Sequence, residues 1–131
     1  MIDIRLPLTR TLIFVSCIIT LSACTSGPAL REGPARLGER AMVGGPIVEP
    51  VKIVEDSRCP QNARCIWAGR LVVRTLVTGG TWSRSMDLTL GEPAAVADGT
   101  VTLVSATPET STRRPIVPRD YRFVFRFDGG L

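Results

Sequence analysis

The 131-residue chain contains no histidine. That removes the commonest general base and the commonest metal ligand, so serine–histidine, cysteine–histidine and zinc–histidine chemistries are excluded. Lysine is almost as scarce: Lys52 is the single lysine among 16 basic residues, and the arginines are spread along the chain. With no basic stripe, a nucleic-acid partner is not expected. Only seven residues are aromatic. Long apolar runs are missing as well; the best, over 12–21, is well short of the roughly 20 residues that a transmembrane helix needs.

What that short run does have is context. Arg5 and Arg10 precede it, and Leu21-Ser22-Ala23-Cys24 closes it. A basic start, a brief apolar stretch and small residues at a cleavage point make a secretory signal, and the closing tetrapeptide reads as a lipobox. Cys24 is therefore the expected lipidation site. Several acyl chains on one cysteine hold a protein to a bilayer stably, at roughly 0.8 kcal/mol per buried methylene, without any spanning helix. The competing readings are an uncleaved anchor and an ordinary signal peptide with an incidental cysteine. Thr25 stands where an aspartate would resemble the inner-membrane retention signal of lipoproteins. The expected location is thus the bacterial envelope, lipid-anchored in the outer membrane and facing the periplasm. The chain divides into a signal peptide (1–23), a lipidated tether (24–34), which is small, polar and broken by glycine and proline, and a single domain (35–131). Two basic residues and one acidic residue fall in the signal, which leaves a modest +3 on the remainder.

Of four cysteines, Cys17 lies in the signal and Cys24 takes lipid, leaving Cys59 and Cys65. In an oxidising compartment these two should form a disulfide. Two thiolates fall short of a tetrahedral zinc site, and their spacing is not that of a C-x-x-C redox pair. No metal or cofactor is expected.

The domain reads as all-β. Extended segments are expected over 36–43, 47–55, 71–78, 82–90, 100–107 and 121–128, with tight turns at Gly44-Gly45 and Gly79-Gly80. Pro46 and Pro50 push their segment toward a sheet edge or a bulge. Trp82, Met86, Leu88 and Leu90 share one face, expected inward. Residues 91–99 look like a turn-rich connection, and 108–118 like a long loop free to move. The last segment carries the clearest alternation: Tyr121, Phe123, Phe125 and Phe127 fall on one face. Such a row can serve as a stacking platform, but in an aromatic-poor chain it belongs in the core, where each ring contributes roughly 1.5–3 kcal/mol on burial. Six or seven short strands with no helical period predict one small antiparallel sandwich or barrel.

One segment has a distinct character: Asp56-Ser57-Arg58-Cys59-Pro60, then Gln61-Asn62-Ala63-Arg64, then Cys65-Ile66-Trp67-Ala68-Gly69. Asp56 is placed to accept hydrogen bonds from the following loop, and Arg58 to pair with it. Trp67 offers an apolar face to the disulfide, and Gly69 lets the backbone pass closely. Read so, the segment is a rigid corner with Asp56 and Trp67 inward. Read functionally, Gln61, Asn62 and Arg64 form a candidate recognition loop, pre-organised by the disulfide. The segment resembles the D-S-R-C-P…C-x-W-A-G signature of a family of small bacterial envelope proteins, often lipoproteins, with the similarity running from Leu37 to Phe127. The resemblance implies a place in the envelope and brings no activity with it.

Catalysis is not expected. Glu55 and Asp56 are the nearest thing to an acid–base pair, but neighbours on a strand point to opposite faces. The leading expectation is a membrane-anchored binding or accessory lipoprotein that meets an envelope protein or cell-wall material. The alternative is an inhibitor of an envelope hydrolase, with the Cys59–Cys65 loop entering its cleft.

Overall fold

The computed structural model describes residues 31–129; the signal peptide, Cys24 and most of the tether lie outside the described residues. Among the described residues there are eight strands: β1 (Arg31–Glu32), β2 (Ala41–Met42), β3 (Ile47–Asp56), β4 (Leu71–Thr78), β5 (Ser83–Thr89), β6 (Pro93–Val96), β7 (Gly99–Thr107) and β8 (Arg122–Gly129). They form one sheet in the order β1-β2-β3-β4-β5 and a second in the order β6-β7-β8. The two sheets pack as a sandwich and do not close into a barrel. Every pairing is antiparallel except β1 with β2, which is parallel.

The core lies between the sheets. β4 sends Leu71, Val73, Thr75 and Val77 inward, and β5 adds Leu88. From the second sheet come Val101, Leu103 and Ala106 of β7 and Phe123 and Phe125 of β8, with Tyr121 just before it. The aromatic row is thus core, as its periodicity predicts. The Tyr121 and Phe123 rings stack at 5.6 Å between centroids, and Phe123 meets Phe125 at 6.3 Å, within the range of favourable ring pairs. Thr75 is fully buried and donates its hydroxyl to the Met86 carbonyl at 3.0 Å, so it brings no unsatisfied group inside.

Four local expectations need correction. Residues 36–40 are a turn, not strand: Gly38 has φ +81°, the Glu39 carboxylate accepts from the Arg36 amide, and β2 shrinks to two residues. The turn expected at Gly79-Gly80 sits one residue later: the Gly79 N–H donates to the Trp82 carbonyl at 2.8 Å, which leaves Gly80 and Thr81 at its centre, and the Trp82 ring lies against Gly79 where a side chain would collide. The stretch over 91–99 contains a strand, β6, which pairs with β7 and turns back at Ala97-Asp98. Its Pro-Ala-Ala-Val sequence has almost none of the β-branched content that marks a strand. The loop over 108–117, expected to be free, is tied down at several points described below. Pro50, by contrast, sits beside a register shift in β3, and its carbonyl accepts the Gly38 amide at 2.7 Å. A proline there has no N–H to leave unpaired.

Candidate functional site

The distinctive segment is an extension of the β3–β4 hairpin beyond the end of the sandwich. The ladder continues past Asp56 and Leu71 through Ser57 N–H to the Arg70 carbonyl (2.8 Å) and Cys59 N–H to the Ala68 carbonyl (3.1 Å). Gly69 makes this ribbon possible. Its φ is +67°, and any Cβ there would overlap the Ser57 carbonyl, so only glycine allows the two strands to close. Beyond the ribbon, the Cys59–Cys65 disulfide cinches the tip, with Cα atoms 5.8 Å apart.

At the root of the ribbon is a largely buried polar network. Arg58 donates twice to Asp56, Nε to Oδ1 and Nη2 to Oδ2, both at 2.8 Å, and the Tyr121 hydroxyl donates to Oδ2 at 2.7 Å. The two charged side chains are 13% and 9% exposed. Burial pushes the Asp56 carboxyl up, but Arg58 and Tyr121 outweigh it and hold it below the usual carboxylate range. Burial, and then the neighbouring carboxylate, push the Tyr121 hydroxyl up to about 12. Arg58 also reaches the carbonyls of Ala106 and Pro108, at 3.3 Å each. The pairing of Asp56 with Arg58 follows the sequence expectation. Tyr121 does not, because its hydroxyl partner is 65 residues away and no local pattern announces it.

The loop over 108–117 is sewn to the same ribbon. The Gln61 backbone N–H donates to the Thr110 carbonyl (2.9 Å), and the Thr110 hydroxyl donates to the Arg58 carbonyl (3.1 Å). Asn62 grips Thr112 at both ends of its amide, through Nδ2 to Oγ1 and Oδ1 from the backbone N–H, at 2.6 and 3.0 Å. Asn62 is therefore exposed but occupied. Gln61 and Arg64 are exposed, and the Arg64 guanidinium has no hydrogen bond or ion pair among the described residues. On the outer edge of the ribbon, Glu55 takes Ser57 Oγ and Arg70 Nε at 2.8 Å each; the Ser57 hydrogen bond, followed by Arg70, lowers its carboxyl. An open groove of about 430 Å³ runs between the ribbon and β7, beside Gln61, Val104 and Glu109.

Trp67 is the main correction. It does not turn inward: it is 80% exposed, and its neighbour Ile66 is 91% exposed. The reason is architectural. A two-stranded ribbon overhanging a sandwich has no opposing sheet to bury a ring against, and the loop over 108–117 binds through Gln61 and Asn62, on the other arm of the tip. Ile66 was absent from the expected site, although an Ile-Trp pair directly after the second cysteine of a disulfide loop, outside any alternating pattern, is itself a signal of unburied apolar surface.

Both oxygens of Asp56 and both of Glu55 are engaged by neighbouring side chains. What the arrangement can do is present two apolar side chains, Ile66 and Trp67, on a tip held by the disulfide and by Asn62, with Arg64 beside them. No protein-family model, curated protein or solved structure matches the chain.

Proposed function

We propose that the protein is a non-enzymatic binding or accessory lipoprotein of the bacterial envelope, anchored through Cys24, and that the disulfide-closed tip of the β3–β4 hairpin is its contact element. The observation that carries this reading is the exposure of Ile66 (91%) and Trp67 (80%) on a loop held by a disulfide and by the Asn62–Thr112 bonds. Large apolar side chains held in water on an ordered element cost solvation that burial elsewhere would recover, so they mark an interaction site. A loop already fixed in shape also loses little conformational entropy when it binds. The resemblance of the 56–69 motif to an envelope family, and the lipobox before Cys24, support the same location.

Two measurements test this. Metabolic labelling with a clickable fatty acid should mark the native chain and not Cys24→Ser; label retained by the serine variant defeats the anchor. Crosslinking in intact cells should give complexes that disappear in Trp67→Ala while the domain remains folded. Recovery of one stoichiometric hydrolase, inhibited by the purified domain, would make the protein an inhibitor instead.

A further inference from the structure

We propose that the groove between the hairpin ribbon and β7 binds a short extended peptide that carries an ammonium group, through a main-chain hydrogen bond from Ala106 and a charge contact with Glu109. The site is separate from the Ile66–Trp67 tip and does not depend on the lipid anchor.

Backbone direction is the first argument. The first half of β7 is flanked by β6, whose pairing stops at Pro93 beside Thr102, and the Gly91 N–H then donates to the Leu103 carbonyl at 2.8 Å. From Val104 to Ala106, no strand among the described residues pairs with β7 on that side. Phe123 spends both its N–H and its C=O on Ala35, at 2.8 Å each, along the edge of β8 that faces away from β7. Its ladder partner Ala106 therefore forms a non-hydrogen-bonded pair with it and turns its own N–H and C=O away from β8, toward the groove. Arg58 Nη1 donates to that carbonyl at 3.3 Å. The Ala106 N–H has no partner among the described residues, although the residue is only 8% exposed. A main-chain donor so placed is matched by the carbonyl of an extended chain, as when a peptide adds itself to the edge of a sheet.

Shape is the second. The register of β7 against β8 shifts between Leu103 and Ser105, which makes Val104 the extra residue of a β-bulge. A bulge re-aims the side chain it adds. Val104 lines the groove with Leu90 and Cys59, and together they form an apolar seat for one side chain of a ligand. The volume, about 430 Å³, is that of a cleft for a small ligand. The described chain begins at Arg31, paired with Ala41, and ends at Gly129, paired with Gly99, both at the end of the sandwich opposite the ribbon. The groove opens away from both.

Charge is the third. Arg58, the one cation at the groove, is committed to Asp56 and to the carbonyls of Ala106 and Pro108. Glu109 lines the same groove, exposed, with no hydrogen bond or ion pair among the described residues. The uncompensated charge there is negative, which favours an ammonium group on the peptide and disfavours a carboxylate.

The test follows the exported protein, labelled with nitrogen-15 and held in detergent micelles, by nuclear magnetic resonance. Two probes are added to millimolar concentration: acetyl-valyl-lysyl-valine amide, and a neutral twin with norleucine in place of lysine. The lysyl peptide should shift the Ala106 N–H resonance saturably and slow its exchange with solvent. The neutral twin should bind about fivefold more weakly, the size of an exposed ion pair, and Glu109→Gln should make the two peptides equal. No saturable shift at Ala106 overturns the proposal, as does a neutral twin that binds the native protein as well as the lysyl peptide. A shift confined to Ile66 and Trp67 overturns it too, while leaving the tip as the contact element.

Discussion

Tyr121 and Asp56 lie 65 residues apart in the chain and meet at 2.7 Å, hydroxyl to carboxylate, where the two sheets come together. That hydrogen bond joins the start of β8 in one sheet to the end of β3 in the other. Arg58 completes it from the opposite side of the carboxylate. The root of the exposed hairpin is thereby fastened to the core, and the hairpin's geometry depends on the sandwich being assembled.

This network should shape the pH dependence of stability at both extremes. The Asp56 carboxyl is held below its ordinary value, so its contribution is complete above the unfolded carboxylate pKa, about 4, and is lost as the pH falls through the lower folded value. Tyr121 runs the other way. Its folded pKa of about 12 lies above the ordinary 10, so its contribution is complete below pH 10 and is lost as the pH rises toward 12. Asp56→Asn should flatten the acid limb of a plot of unfolding free energy against pH, and Tyr121→Phe the alkaline limb. Limbs unchanged in both variants would show that the network does not couple to folding.

Trp67→Ala should leave the unfolding free energy within about 0.5 kcal/mol of native, as exposed positions normally do. Phe123→Ala should cost about 3–5 kcal/mol, because it empties a fully buried site between the sheets. Urea denaturation followed by circular dichroism measures both. Similar losses in the two variants would mean that the tryptophan is buried after all.

Replacing Cys59 and Cys65 together by serine should lower stability by roughly 2 kcal/mol, the loop-entropy value for so short a closure. The sandwich should survive, since the ribbon keeps its ladder and Asn62 its hold on Thr112. Thermal melts of oxidised native protein against the variant decide it; a variant without a cooperative transition would show that the disulfide holds the whole domain.

Thr102 on β7 is 5% exposed, and its hydroxyl has no hydrogen-bond partner among the described residues. Valine has nearly the same shape without the stranded polar atom. Thr102→Val should therefore stabilise the domain by about 1 kcal/mol, seen as a higher melting temperature. A lower one would reveal a partner for that hydroxyl, such as an ordered water.

The strands that could be read from the sequence were those with strong side-chain alternation. In β5 and β8 the inward residues fall on every second position, and β4 is so rich in valine and leucine that its existence as a buried strand follows from composition. β6 was illegible because alanine carries little information about its surroundings; it is a strand only because β7 lies beside it. The disulfide and the Asp56–Arg58 pair were legible because each joins residues close in sequence. The orientation of Trp67 was not, since it depends on whether a second sheet faces the ribbon, and that depends on where 108–117 and β8 arrive. The same holds for Asn62, whose partner Thr112 is 50 residues distant.

The overhang of the hairpin separates two kinds of selection pressure within one small domain. Residues 61–67 add no side chain to the core, and their backbone is set by the disulfide, by Gly69 and by the grip on Thr112. Changes at Arg64, Ile66 or Trp67 are therefore nearly independent, in free energy, of changes in the sandwich. The tip can exchange its chemistry while the scaffold stands still, which makes it a natural grafting position: a new residue at Arg64, or a new dipeptide in place of Ile66-Trp67, inherits a rigid mount while Asn62 keeps its hold on Thr112.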